Sequence, residues 1–230
     1  MACNPCEIFV VTTESRYEAL QKFAQSINER TLQVLQIPVA NKRLQICTAI
    51  PLIKTPITVI VDDDVTWPRT ILPWLVAPFE DERMGAVGTS QRVRRIKTGT
   101  LLEQSYNWVG AGYIERRNFE TSATHMVDGG TSCMSGRTVA LRTLVLQSSD
   151  FLEGFAGETW RGKPLNADDD NFITRWLVSK GLKTWVQHNW ECEVETTLEN
   201  NIRFLYQCAR WARSNWRSNL KSIEEGHIWK

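Results

Sequence analysis

Ile57-Thr-Val-Ile-Val-Asp-Asp-Asp64 is the stretch on which the reading of the fold turns. Its first five residues are apolar or β-branched, with Thr58 the one polar side chain, as in a strand covered on both faces. Three acids follow at once. Ligand sites in open α/β sheets lie beyond the carboxyl ends of strands, so Asp62 and Asp64 are expected to project from such an edge. Carboxylates packed there repel unless a cation joins them. A hard divalent ion, Mg²⁺ or Mn²⁺, fits and commonly also binds substrate phosphates. A solvated acidic turn is the competing reading.

Working outward, strands alternate with helices. Glu7 to Val11 is a short apolar strand. Ser15-Arg-Tyr-Glu18 has the form of a capping box, opening a helix with Leu20, Phe23, Ala24 and Ile27 on one face. Leu32 to Val39 is a second strand, and Asn41 caps a helix carrying Leu44, Cys47 and Ile50. Pro68 suits the first turn of the next helix. The alternation argues an α/β fold, with a mostly parallel central sheet and flanking helices. Downstream, a strand is expected over 85–93, an amphipathic helix over 100–117 and a Gly- and Ser-rich loop over 128–136. A helix over 170–180 stops at Gly181, and a long Arg- and Trp-rich helix spans 197–220. With no repeat and no linker, residues 1–230 are expected to form one domain.

The 230 residues are 42% hydrophobic, with 27 basic and 26 acidic side chains, so a net charge of +1 offers no field to hold a nucleic acid. Only 13 Gly and 8 Pro exclude collagen-like and low-complexity classes. No signal peptide or spanning helix is visible, and the apolar run 71–79 is short and holds two prolines, so this chain by itself is expected to be soluble and cytoplasmic. Among six Cys the one close pair is Cys3-Asn-Pro-Cys6, which precedes a strand, and reduced thiols are expected. His125, His188 and His227 have no zinc spacing, and the first two are expected in loops. No nucleophile elbow, Walker loop or dinucleotide fingerprint occurs.

Two further signals carry chemistry. Ala167-Asp-Asp-Asp170 opens a helix, either as N-terminal acids on the helix dipole or as a seat for a general base. Gln207-Cys-Ala-Arg210-Trp211 places Gln207, Arg210 and Trp211 on one helical face. Arg suits a diphosphate and Trp a sugar ring. A solvated basic face over a core holding Trp211 and Trp216 is the alternative.

In order, these segments resemble the glycosyltransferase family 2 polysaccharide synthases: the cellulose, chitin and hyaluronan synthases and a fungal capsule-synthase-like branch. The resemblance is carried by Val61-Asp-Asp-Asp-Val-Thr-Trp-Pro68, Asp128-Gly-Gly-Thr-Ser-Cys-Met-Ser-Gly-Arg137, Asp168-Asp-Asp-Asn-Phe-Ile-Thr-Arg-Trp176 and Gln207-Cys-Ala-Arg-Trp211. It implies a Rossmann-like GT-A fold and an inverting, metal-dependent transfer from a UDP-sugar to a growing β-linked glycan. By motif, Asp62 and Asp64 are the D-x-D pair, with Asp64 on the Mg²⁺ or Mn²⁺. Asp170 is the base and Asp169 its companion. Lys42 and Arg43 lie beside the nucleotide, Cys133, Ser135 and Gly136 near the acceptor, and Gln207, Arg210 and Trp211 over the diphosphate. Asp168 stands where the family has glycine, and Thr12 and Thr13 where it has a nucleobase-reading Asp. The first family strand and the membrane helices are missing, so truncation at both ends is expected, with the family's place at the cytoplasmic face of a membrane. The basic, aromatic tail from Trp211 to Trp229 suits either an interfacial segment or a core-packed helix.

Two rivals stand. A haloacid-dehalogenase-like phosphohydrolase would use Asp62 as nucleophile, Asp64 as acid/base, Ser90 and the acids 168–170. A truncated, non-catalytic nucleotide-sugar binder or synthase-associated fragment is the other.

Overall fold

The computed structural model describes residues 5–27 and 31–225. Cys3, His227 and Trp229 lie outside them. In chain order the elements begin with β1 (Ile8–Thr13), α1 (Glu14–Ser26), β2 (Leu32–Ile37), α2 (Lys42–Ala49), β3 (Ile57–Val61) and α3 (Ile71–Val76). Next come β4 (Met84–Thr89), β5 (Gln91–Val93), α4 (Leu101–Asp128), β6 (Thr138–Arg142), α5 (Thr143–Leu146) and α6 (Ser149–Gly157). A hairpin of β7 (Thr159–Trp160) and β8 (Lys163–Pro164) leads to α7 (Asp169–Ser179), β9 (Lys183–Gln187), β10 (Val194–Thr196) and α8 (Arg203–Glu225). The chain divides into two compact units, Met1–Thr58 with Arg142–Asp169, and Val59–Leu141 with Asp170–Lys230.

In the first unit β1 and β2 pair in parallel, Ile8 opposite Leu32 through Thr13 opposite Ile37. The capping box expected at Ser15 does not form. Thr13 is the N-cap of α1, without a side-chain cap bond, and Ser15 lies inside the helix with its hydroxyl 3.0 Å from that of Thr13. The expected apolar face is open to solvent at Phe23 and Ile27. At α2 the expectation holds: the Asn41 side chain accepts from the Arg43 and Leu44 N–H groups. The stacked rings of Phe151 and Phe155 form the buried side of α6. Arg161 (φ 51°) and Gly162 (φ 76°) turn the hairpin in the left-handed conformation that two-residue loops favour.

The second unit holds a four-stranded sheet in the order β3-β6-β4-β9. β9 runs parallel to β4, but β6 runs antiparallel, which the strand–helix alternation does not show. The expected strand over 85–93 is broken in two, because β5 leaves the sheet to pair in parallel with β10. Ile71 opens α3 by donating to the Pro68 carbonyl, so Pro68 precedes the helix. The capping box at Thr100 and Glu103 starts α4, which runs past Arg117 to a left-handed Gly129. His125 therefore sits in a helix, not a loop, its ring edge-on to Trp185. Gly181 (φ 71°) ends α7 region as expected. Residues 197–202 precede α8 instead of belonging to it.

α4 and α8 share a core of Val93, Ile114, Leu198 and Phe204, flanked by Tyr113 and Trp211. Their outer faces are apolar. Leu101, Trp108, Phe119 and Met126 are exposed on α4, and Leu205, Trp216 and Ile223 on α8. Spacings of seven and eleven residues put each set on one line along its helix. Trp216 is 70% exposed, not part of a core. Among the described residues no helix is long and apolar enough to cross a membrane.

Candidate active site

The carboxyl end of β3 turns sharply. The Asp62 N–H donates to the Arg137 carbonyl (3.1 Å), and the Asp62 carbonyl accepts from Val65 (3.3 Å). Thr66 then bridges to Glu195 through two backbone bonds of 2.8 and 3.0 Å. This carries Asp64, exposed, to the 196–197 segment, where its Oδ2 accepts from the hydroxyls of Thr196 and Thr197, each at 3.2 Å. Arg137 donates from Nε to Thr196 Oγ1 (3.1 Å) and from Nη1 to Gln91 Oε1 (2.9 Å). Its guanidinium lies 5.3 Å from the centre of the Trp211 ring, which stacks on Tyr113 at 5.5 Å. Burial and the nearby Arg117 cation pull the Arg137 pKa below the usual range, while Asp64, Asp62 and Asp170 oppose that shift. The D-x-D pair, Asp170 and two arginines thus act on one another in one unit.

Asp62 and Asp64 are the donor type a hard cation needs. No group of three or more His, Cys, Asp or Glu suited to a metal occurs among the described residues. The pair fits an ion such as Mg²⁺ or Mn²⁺ that completes its shell with water and substrate oxygens.

Asp170 lies in the first turn of α7, and its Oδ1 accepts from the Asn171 N–H (2.8 Å). Thr174 locks this turn to the loop after α4: its hydroxyl donates to the Asp170 carbonyl (2.7 Å) and accepts from the Met134 N–H (2.9 Å). The buried Cys133 Sγ donates to the Met134 carbonyl (3.6 Å), and the Asp170 and Arg117 charges both act on it. Burial and the Asp170 charge keep this thiol protonated well above the ordinary range, against the opposing effect of Arg117. Burial disfavours the Arg117 charge, but its surroundings, the Asp170 carboxylate among them, outweigh it and raise its pKa. Ser135 Oγ accepts from the Arg137 N–H (3.4 Å), and Gly136 is buried. A shallow recess beside Cys133 is lined by Thr89, Arg117, Asn118, Ser135 and His188. The Thr89 hydroxyl is buried there without a protein partner.

Of the three residues on the α8 face, Trp211 meets Arg137, Arg210 is exposed, and Gln207 is half-buried with Oε1 enclosed and unpartnered by protein. In the first unit Lys42 Nζ pairs with Asp169 Oδ2 at 3.0 Å. Arg43, expected beside a nucleotide, is 1% exposed and spends its guanidinium on Glu158 and on the carbonyls of Phe155, Ala167 and Asp168. The reading from sequence missed Arg117, Tyr113, Thr196 and Thr197. Arg137 closes one of the quoted motifs, but nothing in its spacing shows that it would join Thr196 to Trp211.

Among solved structures the fold is similar to that of GalNAc-T7, determined with UDP, GalNAc and Mn²⁺, at a TM-score of 0.51 and 12% identity over 84% of this chain and 37% of that one. The fold is therefore of the GT-A glycosyltransferase class. The family model described as "Glycosyltransferase like family 2" matches residues 2–214, and the chain belongs to that family. A type 2 glycosyltransferase of Gibberella zeae is 60% identical across 100% of this chain and 44% of its own length. The NDP-glycosyltransferase ltbB of Aspergillus luteorubrus is 28% identical over 96% of this chain and 55% of its own. Hyaluronan synthase 3 of Xenopus laevis is 27% identical over 65% of this chain and 26% of its own. The chain spans about half the length of the fungal relatives. Family membership sets aside the phosphohydrolase reading of Asp62.

Proposed function

We propose that this chain carries the catalytic domain of an inverting glycosyltransferase that moves a sugar from a UDP-sugar to the end of a growing β-linked polysaccharide. The observation that carries the proposal is that Arg137 joins the turn of Asp62 and, through Thr196, Asp64, while Thr174 bonds the Asp170 turn to the loop of Cys133 and Met134, all in one compact unit. Asp170 takes the proton of the acceptor hydroxyl as that oxygen attacks the anomeric carbon of the donor. Cys133, with Ser135 and Gly136, lines the acceptor side. Asp62 and Asp64 hold Mg²⁺ or Mn²⁺, which when bound supplies positive charge to the leaving diphosphate. Gln207, Arg210 and Trp211 face the donor diphosphate and the acceptor, and Asp169 is the companion acid that Lys42 holds. The solution of GalNAc-T7 with UDP and Mn²⁺ supports this donor and metal, and the hyaluronan synthase relatives support a polysaccharide product. The exposed apolar lines on α4 and α8 favour a place at a membrane surface.

The test is calorimetric titration of UDP into the chain with and without Mn²⁺. Metal-dependent binding is expected, and Asp64→Asn should abolish it. Asp170→Asn should retain UDP binding and lose transfer by a factor of about 10² or more. A folded chain that binds no UDP in either condition overturns the donor site. Binding without transfer on any UDP-sugar shows a non-catalytic binder instead.

A further inference from the structure

Arg43 makes a grip that the proposed chemistry does not use. It stands at the start of α2, whose N-cap Asn41 also donates from its side-chain amide to Asn166 Oδ1 (3.0 Å). The guanidinium, over the ring of Phe155 at 5.0 Å, donates to Glu158 Oε2 at 2.6 Å and to the Phe155 carbonyl at 2.8 Å. The fork also reaches the chain ahead of α7. Nε donates to the Ala167 carbonyl at 3.1 Å, and Nη2, the nitrogen on Glu158, shares its hydrogens with the Ala167 and Asp168 carbonyls at 2.9 and 3.1 Å. Asp168 has φ 66°, a conformation that L-residues adopt only at a cost. One residue later Lys42 Nζ holds Asp169 Oδ2 at 3.0 Å. Three successive residues, 167 to 169, are thus fastened by two successive basic side chains immediately before Asp170. A planar fork can serve two adjacent carbonyls and a carboxylate together, whereas an ammonium acts as a point.

We infer that Arg43, backed by Glu158, is a positioning residue that fixes the left-handed turn at Asp168 and so holds Asp169, the companion acid that opens α7, in place for catalysis. The inference rests on the reading of Asp169 and Asp170 as the catalytic acids. It assigns Arg43 to the protein's own backbone, not to the nucleotide. A misplacement of about 1 Å in a reacting group can cost on the order of 10²-fold in rate, so a grip on the preceding turn is enough to matter.

The test compares wild type, Arg43→Lys and Glu158→Gln as full chains, below the lowest of their unfolding temperatures. Arg43→Lys keeps the charge and loses the fork. It should speed backbone hydrogen exchange in the peptide over 165–171, lower kcat by about 10- to 100-fold, and leave the donor KM and the UDP affinity within about twofold. Glu158→Gln keeps the carbonyl bonds of Arg43 and should show the smaller loss of kcat. Exchange at 165–171 unchanged in Arg43→Lys overturns the inference. So does a loss of kcat that simply follows melting temperature across both variants, which marks a merely structural ion pair. A tenfold loss of UDP affinity in Arg43→Lys would return the residue to the nucleotide. Failure of the underlying reading shows differently, as absence of transfer by the wild type itself.

Discussion

Asp168 shows what a single residue can reveal. Its φ of 66° is glycine territory, and the family resemblance expects glycine there. Replacing it by Gly or by Ala removes the same carboxylate, so the difference between the two variants isolates the backbone. Asp168→Gly should be the more stable by about 1 kcal/mol, read by thermal or denaturant unfolding. Equal stabilities would mean that the left-handed turn is absent in solution. The neighbouring basic pair makes a complementary point. Lys42 and Arg43 are indistinguishable as a motif, yet Lys42 is part-exposed on Asp169 while Arg43 is sealed against Glu158. Charge type is legible in a sequence, but burial is not, and burial separates a ligand contact from a backbone clamp.

At the scale of elements, α4 carries two glycines whose substitutions should have opposite signs. A Cβ at Gly112 would meet nothing within 4 Å, so Gly112→Ala should gain about 1 kcal/mol of helix propensity. A Cβ at Gly110 would lie 2.9 Å from Leu198 Cδ1 and 3.6 Å from the Phe204 ring. Overpacking there typically costs about 1–3 kcal/mol, which meets or exceeds the same gain, so Gly110→Ala should lower the melting temperature and loosen the α4–α8 core. Calorimetric melting of both variants decides it. Elements with strong local signals were legible: the apolar run of β3, which forms a strand although Val61 is exposed and none of its residues is fully buried, the Asn41 cap and the Gly181 stop. Elements set by distant partners were not. The stretch 118–128 is rich in Thr and Ser and stays helical until Gly129, Asn200 and Asn201 delay the start of α8, and β6 runs antiparallel because of its neighbours in the sheet.

For the whole molecule, the balance of 27 basic and 26 acidic groups gives a pI near 7.6. Little net repulsion opposes association at that pH, and large apolar side chains stand exposed on α4 and α8. Self-association should therefore be strongest near pH 7.6 and weaken toward pH 9.5 as negative charge accumulates. Phe119→Glu with Trp216→Glu should reduce it at every pH, as read by sedimentation or light scattering. Motif order, spread over the chain from Asp62 to Trp211, made the family legible because chemistry constrains those residues wherever the intervening loops go. It said nothing about which way Trp216 or Phe119 would face.

That outward face of α8 has an inner counterpart: Ser214, Ser218 and Ser222 are buried at four-residue spacing, with Ser218 receiving Arg175 Nη1 at 2.6 Å. Hydroxyl groups gain little on leaving water, so the inner side alone anchors this half of the helix weakly. Its grip on the protein is then linked to the binding of any apolar ligand over Trp216 and Ile223, which stand exposed. A detergent or lipid that binds the folded helix and not the unfolded chain raises stability with the logarithm of its free concentration. Thermal tolerance is then a property the protein shares with its surroundings.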